Sequence, residues 1–352
     1  MHRVDAFCEA YDIRVPILLA PMAGACPVPL SIAVATAGGL GACGALLMQP
    51  PAIHAWAEEF GAQSNDSFQI NLWIPDPPPR RDAAAELAVR EFLATWGVAV
   101  PADAGDATPP DFDAQCEAML EIRPRVISSI MGLYPPPMVD RMKAAGIKWF
   151  ATATTVAEAK AAERAGADAI IAQGMEAGGH RGAFVASQAE RNLVGLFSLL
   201  PAVVDAVGIP VIATGGIADA RGVAAALLLG ASSVQIGTGF LRCPEAKLAS
   251  AWADALGQTL PEDTLVTRAY SGRPGRAIAT AYARAASASD APDPAPYPVQ
   301  RGLTQALRDA GVKRNDIDRM QAWAGQSAAL ALAVPAADLV ARLWNGARAL
   351  LE

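Results

Sequence analysis

Short, nearly continuous apolar runs recur along this chain, each separated from the next by a longer Ala-rich stretch with charges on one side. Eight such runs read as strands: ILLAPM from Ile17, GLGACG from Gly39, FQINLW from Phe68, VISSIMG from Val126, KWFATAT from Lys148, AIIAQG from Ala169, PVIATGG from Pro210 and SVQIGT from Ser233. Strands apolar on both faces and alternating with helix-length segments predict βαβ units around a buried parallel sheet. Eight units predict an α/β fold, a (β/α)8 TIM barrel.

Two helices are punctuated clearly. Thr155 with Glu158 three residues on has the spacing of a capping box, and Gly166 stands where that helix should stop. Asp219 can cap a helix that ends before Gly230. The regular spacing breaks twice, at the proline-rich stretch that opens with PDPPPR and again after the eighth strand. Residues 1–74, 123–244 and 336–352 are therefore assigned to the barrel. Residues 75–122 and 245–335 are assigned to a smaller, mainly helical cap over its mouth.

Composition narrows the class. The 352 residues are 53% hydrophobic and 18% charged, enough apolar material for one large barrel with an insertion. The net charge of −7 disfavours nucleic acid and anionic membrane as partners. Five scattered cysteines with no C-x-x-C pair read as reduced thiols, and three well-separated histidines offer no metal site. The first residues lack a signal-peptide pattern and no apolar run is long enough to span a bilayer, so a cytoplasmic protein is expected. The oligomeric state is left open.

Barrel enzymes carry their chemistry at the C-terminal ends of the strands. Here those ends hold glycines and neutral amides, with no carboxylate pair and no Ser–His–Asp set. Gly215-Gly216 and Gly237-Thr238, after the last two strands, suit a phosphate held by backbone N–H groups. Asn71, Gln173 and Gln235 are amides that need partners, and a flat heterocycle with alternating donors and acceptors supplies them. Phosphate plus heterocycle points to FMN. The G-x-G-x-x-G match from Gly39 follows a helix and is itself a strand, which argues against a dinucleotide fingerprint. His180, between glycine pairs just past the sixth strand, can hold or take a proton near neutral pH. His2 and His54 read as structural.

On these residues the chain resembles the nitronate monooxygenase family, formerly called 2-nitropropane dioxygenases, and its class I bacterial members most. The matching stretches run in order along almost the whole chain: APMAG at Ala20, AGGLG at Ala37, INLW at Ile70, AQGMEAGGHRG at Ala172, PVIATGGI at Pro210, GASSVQIGTGFL at Gly230, SGR at Ser271 and WAGQSAAL at Trp323. The resemblance implies an FMN-dependent monooxygenase that uses no metal. It oxidises a small alkyl nitronate with O2 to a carbonyl compound and nitrite. It places FMN against Met22, Asn71, Gln173, Gly178, Gly215, Gly216 and the run Gln235, Ile236, Gly237, Thr238. It makes His180 the active-site histidine, positioning the anion or acting as base on a nitroalkane.

The chain departs from the class I pattern in the substrate pocket. Ile130 stands where those members have a histidine. After Tyr297-Pro298, Arg301 and Gln305 stand where they have a tyrosine and a lysine. Other readings kept open are an NAD(P)H-using reductase of enones or enoyl thioesters, a flavin-binding protein without turnover, and a flavin-free phosphate-sugar enzyme.

Overall fold

The computed structural model describes residues 1–64 and 67–352. Eleven strands are numbered in chain order: β1 Ile17–Leu19, β2 Gly41–Gly44, β3 Phe68–Trp73, β4 Val126–Ile130, β5 Lys148–Ala153, β6 Ala169–Gln173, β7 Gly179–His180, β8 Val211–Thr214, β9 Ser233–Ile236, β10 Thr264–Thr267 and β11 Gly275–Ile278. Eight of them form one parallel sheet in the order β1-β9-β8-β6-β5-β4-β3-β2, and each overlaps one of the runs expected to be a strand. Leu19 N donates to the Leu40 carbonyl (2.9 Å) and Leu40 N to the Ile17 carbonyl (3.1 Å), which ties β1 to the β2 side and closes the barrel.

Closure sorts each strand by parity. On β3, Phe68, Ile70 and Leu72 pack outward among the helices, whereas Gln69, Asn71 and Trp73 alternate with them and face inward. At the N-terminal end the interior is hydrocarbon: Leu18, Val126, Phe150, Ala169 and Ile212 meet there. The helix His2–Ala10 covers that end, laying Phe7 and the following Tyr11 against them. The Tyr11 and Phe150 rings meet edge to face at 4.9 Å. Sealing the lower end leaves the upper end as the place where a ligand can enter.

The helix starts are chemically specific. Asp219 Oδ1 accepts from the Arg221 and Gly222 amides at 3.0 and 3.1 Å, closing the first turn of the helix Ala220–Leu228. Thr155 Oγ1 accepts from Glu158 N, as expected. The return half of the box differs. Glu158 Oε2 accepts from the backbone and hydroxyl of Thr154 (2.7 Å each), and its Oε1 accepts from Phe184 N at 2.8 Å. The carboxylate therefore joins the β5 loop to the segment after His180, which nothing local in the sequence announces.

The residues over the mouth also differ in detail from a helical cap made of 75–122 and 245–335. Val89 and Leu93 from the first segment share an apolar cluster with Tyr270, Tyr282, Val299, Leu303 and Leu307 from the second. The buried Arg273 guanidinium pairs with Asp76 at 2.6 Å. The helix Phe112–Glu121 belongs elsewhere: its Cys116, Met119 and Leu120 pack in the main barrel core, because that apolar face meets barrel helices. The second segment also contains strand: β10, β11 and β7 form a three-stranded antiparallel sheet, with Gly275 paired to His180. Among the described residues no helix is long and apolar enough to cross a membrane.

The lower plug should carry much of the stability. Phe150→Ala is expected to lower the unfolding free energy by about 3–5 kcal/mol through the cavity it leaves, read from denaturant midpoints.

Candidate active site

The inward residues change character toward the C-terminal ends of the strands. Above the hydrocarbon layer come Asn71, Ser128, Thr152, Gln173, Thr214 and Gln235, all less than a tenth exposed. All of these but Ser128 line a cavity of about 390 Å³. Met22, Asn71, Gln173, Gly178, Gly215, Gly216, Gln235, Gly237 and Thr238 all line it. So do His180, Ile130, Tyr297 and Arg301. Thirteen of the fifteen residues singled out in the sequence thus converge from distant parts of the chain.

Two do not. Ile236 is 1% exposed and packs in the outer core, because it follows inward-facing Gln235 on the same strand and must point the other way. Gln305 is exposed on the helix Gln305–Arg314; its Oε1 accepts from Arg308 (2.7 Å) and its Nε2 donates to Asp309 (2.6 Å). The helix turns Arg308, four residues before Val312, toward the cavity instead.

The loop after β6 is built around buried charge. Arg181 is 1% exposed; its guanidinium donates to the Gly174 carbonyl (2.7 Å) and to the carbonyl and side-chain oxygen of Gln173 (3.3 Å each). The Gln173 amide staples the turn, donating to the His180 carbonyl (3.1 Å) and accepting from Gly182 N (2.8 Å). Glu176 accepts from Leu196 N at 2.9 Å and so caps a helix whose own N-cap, Gly195, has no side chain. Gly179 adopts φ +74°, and a Cβ on Gly178 would lie 2.5 Å from Gly325 N, so both positions need glycine.

This scaffold fixes the His180 ring. It stands edge-on to Trp73 (4.6 Å between centroids) and to Trp323 (4.7 Å). Nε2 lies 2.7 Å from Ser271 Oγ. Burial, and then the positive charges of Arg273 and Arg301, push its pKa down to about 3, so the imidazole is neutral at physiological pH. Arg301 presents its guanidinium to the same cavity, where no acceptor among the described residues bonds to it.

Opposite, the backbone amides of Gly215, Gly216 and Gly237 find no acceptor among the described residues. Gly215 and Gly216 have φ of +111° and +69°, which turns the chain tightly around that corner. Asp219 already occupies the first turn of the following helix, so anion-binding capacity rests on the loop amides. A Cβ on Gly237 would sit 3.2 Å from Met22 Sδ, filling the space beside them. Unmet amide donors at one end and neutral side-chain amides along the floor fit a phosphate joined to a polar-edged ring. Among the described residues no cluster of His, Cys, Asp or Glu could hold a metal.

Sequence reasoning missed several lining residues. Trp73 was legible, since it follows Asn71 by two on one strand and shares its face. Ser271 and Trp323 lay inside quoted motifs, but only the folded chain brings them to His180.

A closed parallel barrel with an amide-floored, glycine-rimmed mouth and a guarded histidine defines a barrel oxidoreductase of the flavin-using kind. The chain belongs to the nitronate monooxygenase family, whose model matches residues 7–346. It is 38% identical over 348 residues to the nitronate monooxygenase of Paraburkholderia phytofirmans, covering 96% of this chain and 93% of that one. It is 33% identical over 350 residues to a probable nitronate monooxygenase of Staphylococcus aureus, covering 98% of each. Among solved structures it resembles the nitroalkane oxidase from Streptomyces ansochromogenes, with a TM-score of 0.89 and 35% identity over 99% of this chain and 100% of that one. It also resembles FabK from Thermotoga maritima, with a TM-score of 0.76 and 28% identity over 98% and 96%.

The depressed histidine has a measurable consequence. Unfolded, His180 titrates near its ordinary value of about 6.5, well above its folded value. On acidification the unfolded chain takes up that proton first, so stability falls as pH drops from about 6.5 toward 3. The melting temperature of the apoprotein should therefore fall less between about pH 7 and about pH 5 in His180→Asn than in wild type.

Proposed function

We propose that this enzyme binds FMN and oxidises alkyl nitronates with O2 to a carbonyl compound and nitrite. The observation that supports this most directly is an imidazole kept neutral in the same aromatic-walled cavity as a guanidinium that bonds no acceptor among the described residues. FMN, when bound, supplies the electron acceptor. The amides of Gly215, Gly216, Gly237 and Thr238 would hold its phosphate, and Asn71, Gln173 and Gln235 its ring, with Met22 and Gly178 lining the same cavity.

A nitronate is already an anion, so no proton need be removed before oxidation. Arg301 attracts it and compensates its charge, a role that suits a partly buried cation whose guanidinium bonds no acceptor among the described residues. His180 meets it as a neutral hydrogen-bonding group, oriented by Ser271 and by the two tryptophan edges. A base whose conjugate acid has a pKa of about 3 is poorly matched to pulling a proton from a neutral nitroalkane. Nitronates are therefore favoured over their parent nitroalkanes.

Ile130, Trp73, Trp323 and Tyr297 wall this part of the cavity with apolar surface. Ile130 Cγ1 would lie 3.0 Å from a Cβ at position 182, so it packs directly beneath the turn that carries His180. A plain alkyl substituent suits these walls better than a polar one.

Nitrite release from a panel of nitronates, with FMN absorbance followed anaerobically, tests the proposal. Nitronates should reduce the flavin, and kcat/KM should exceed that of the parent nitroalkanes by about a hundredfold or more. Bleaching by NADPH with no response to nitronate would instead identify an NAD(P)H-dependent reductase. His180→Ala should retain FMN and lose nitrite release. Arg301→Met should raise KM for nitronate about tenfold or more with the flavin spectrum unchanged.

A further inference from the structure

We propose that Gln69, which lies outside the cavity, is a positioning residue that decides which end of the Gln235 amide faces the cofactor. This rests on the FMN reading above and concerns how the chain tunes that site.

Gln69 is fully buried, one inward position below Asn71 on β3. Its Nε2 donates to the Leu19 carbonyl at 3.0 Å and to Gln235 Oε1 at 2.9 Å. The Leu19 oxygen can only accept, so the Gln69 NH2 must turn toward it; the flipped amide would set two oxygens face to face. The second hydrogen of the same NH2 then points at Gln235 and can be met only by its oxygen. Gln235 is thereby held with Oε1 down and Nε2 up, toward the cavity that it lines. Thr214 Oγ1, donating to the Gln235 carbonyl at 2.8 Å, anchors the backbone beneath it.

Asn71 provides the contrast. Its Nδ2 donates to Ser128 Oγ at 3.1 Å, but a hydroxyl both gives and takes hydrogen bonds and cannot choose between the ends of an amide. Gln173 is oriented directly by the His180 carbonyl and the Gly182 amide, whereas Gln235 has its polarity imposed at one remove, by a backbone carbonyl acting through Gln69. The arrangement has a cost: Gln69 Oε1 is buried without a hydrogen-bond partner among the described residues. A leucine at this position would avoid that orphan and lose the relay.

A donor fixed toward the ring stabilises it when it becomes more electron-rich, without reorganisation. Losing the relay should therefore lower the flavin midpoint potential as well as weaken FMN binding. The test compares wild type, Gln69→Met, Gln69→Leu, Gln235→Leu and the double variant Gln69→Met/Gln235→Leu. The readouts are midpoint potential, FMN affinity from fluorescence titration of apoprotein, and apoprotein melting temperature as a packing control. Both Gln69 variants should lower the potential and weaken FMN about tenfold. Gln69→Met should add nothing once Gln235 is leucine.

Gln69 variants that leave the potential unmoved, or shift it equally with and without Gln235, would overturn the relay. A wild-type measurement needs no substituted chain: with glutamine side chains labelled with nitrogen-15, the Gln235 NH2 signal should shift on FMN addition, and an unmoved signal counts against the proposal. A wild-type apoprotein that takes up no FMN would sink the cofactor reading itself; bound FMN with silent Gln69 variants sinks the relay alone.

Discussion

Closing eight parallel strands into a barrel leaves every second side chain facing a narrow interior, and most of this molecule follows from how that interior is filled. Phe150, Ile212 and their neighbours fill its lower half with hydrocarbon, and the first helix seals it with Phe7 and Tyr11. The amides that line the cavity stand in the upper layer, at Asn71, Gln173 and Gln235, while below them the Gln69 and Ser233 side chains donate to backbone carbonyls. Parity alone decides that Gln235 lines the mouth while Ile236 joins the outer core.

The upper layer works because its polar groups are tied down before any ligand arrives. Gln173 and Arg181 hold the loop that carries His180, while Glu158 and Glu176 anchor its flanks to backbone amides. The antiparallel pairing of His180 with Gly275 brings the second inserted segment, and with it Ser271, to the imidazole. Arg273 draws in the first segment through Asp76 and adds positive charge near the ring. Loop order and histidine protonation therefore share one set of contacts.

Much of this was legible in the chain. Eight apolar runs located eight strands, and glycines and amides at or just past their ends located part of the cavity lining, because both depend on local spacing. The errors came where spacing is silent. The turn of the helix that carries Gln305 directs it to Arg308 and Asp309 rather than to the cavity, and no linear pattern sets that rotation. Glu158 has the spacing of a capping box but bonds Thr154 and Phe184, because a loop from another unit competes for its carboxylate. The helix Phe112–Glu121 looked like part of an insertion, yet its apolar face belongs to the barrel.

By itself the sequence determined the barrel and the residue types at its mouth, since alternation, capping and glycine placement act over a few residues. Tertiary structure alone decided that His180 lies between Trp73 and Trp323 and against Ser271, and that its proton is lost to burial and nearby arginines. It alone decided that Gln69 reaches Gln235, 166 positions away. Such contacts join segments that meet only when the barrel closes, and charge, burial and hydrogen-bond direction depend on what is near in space.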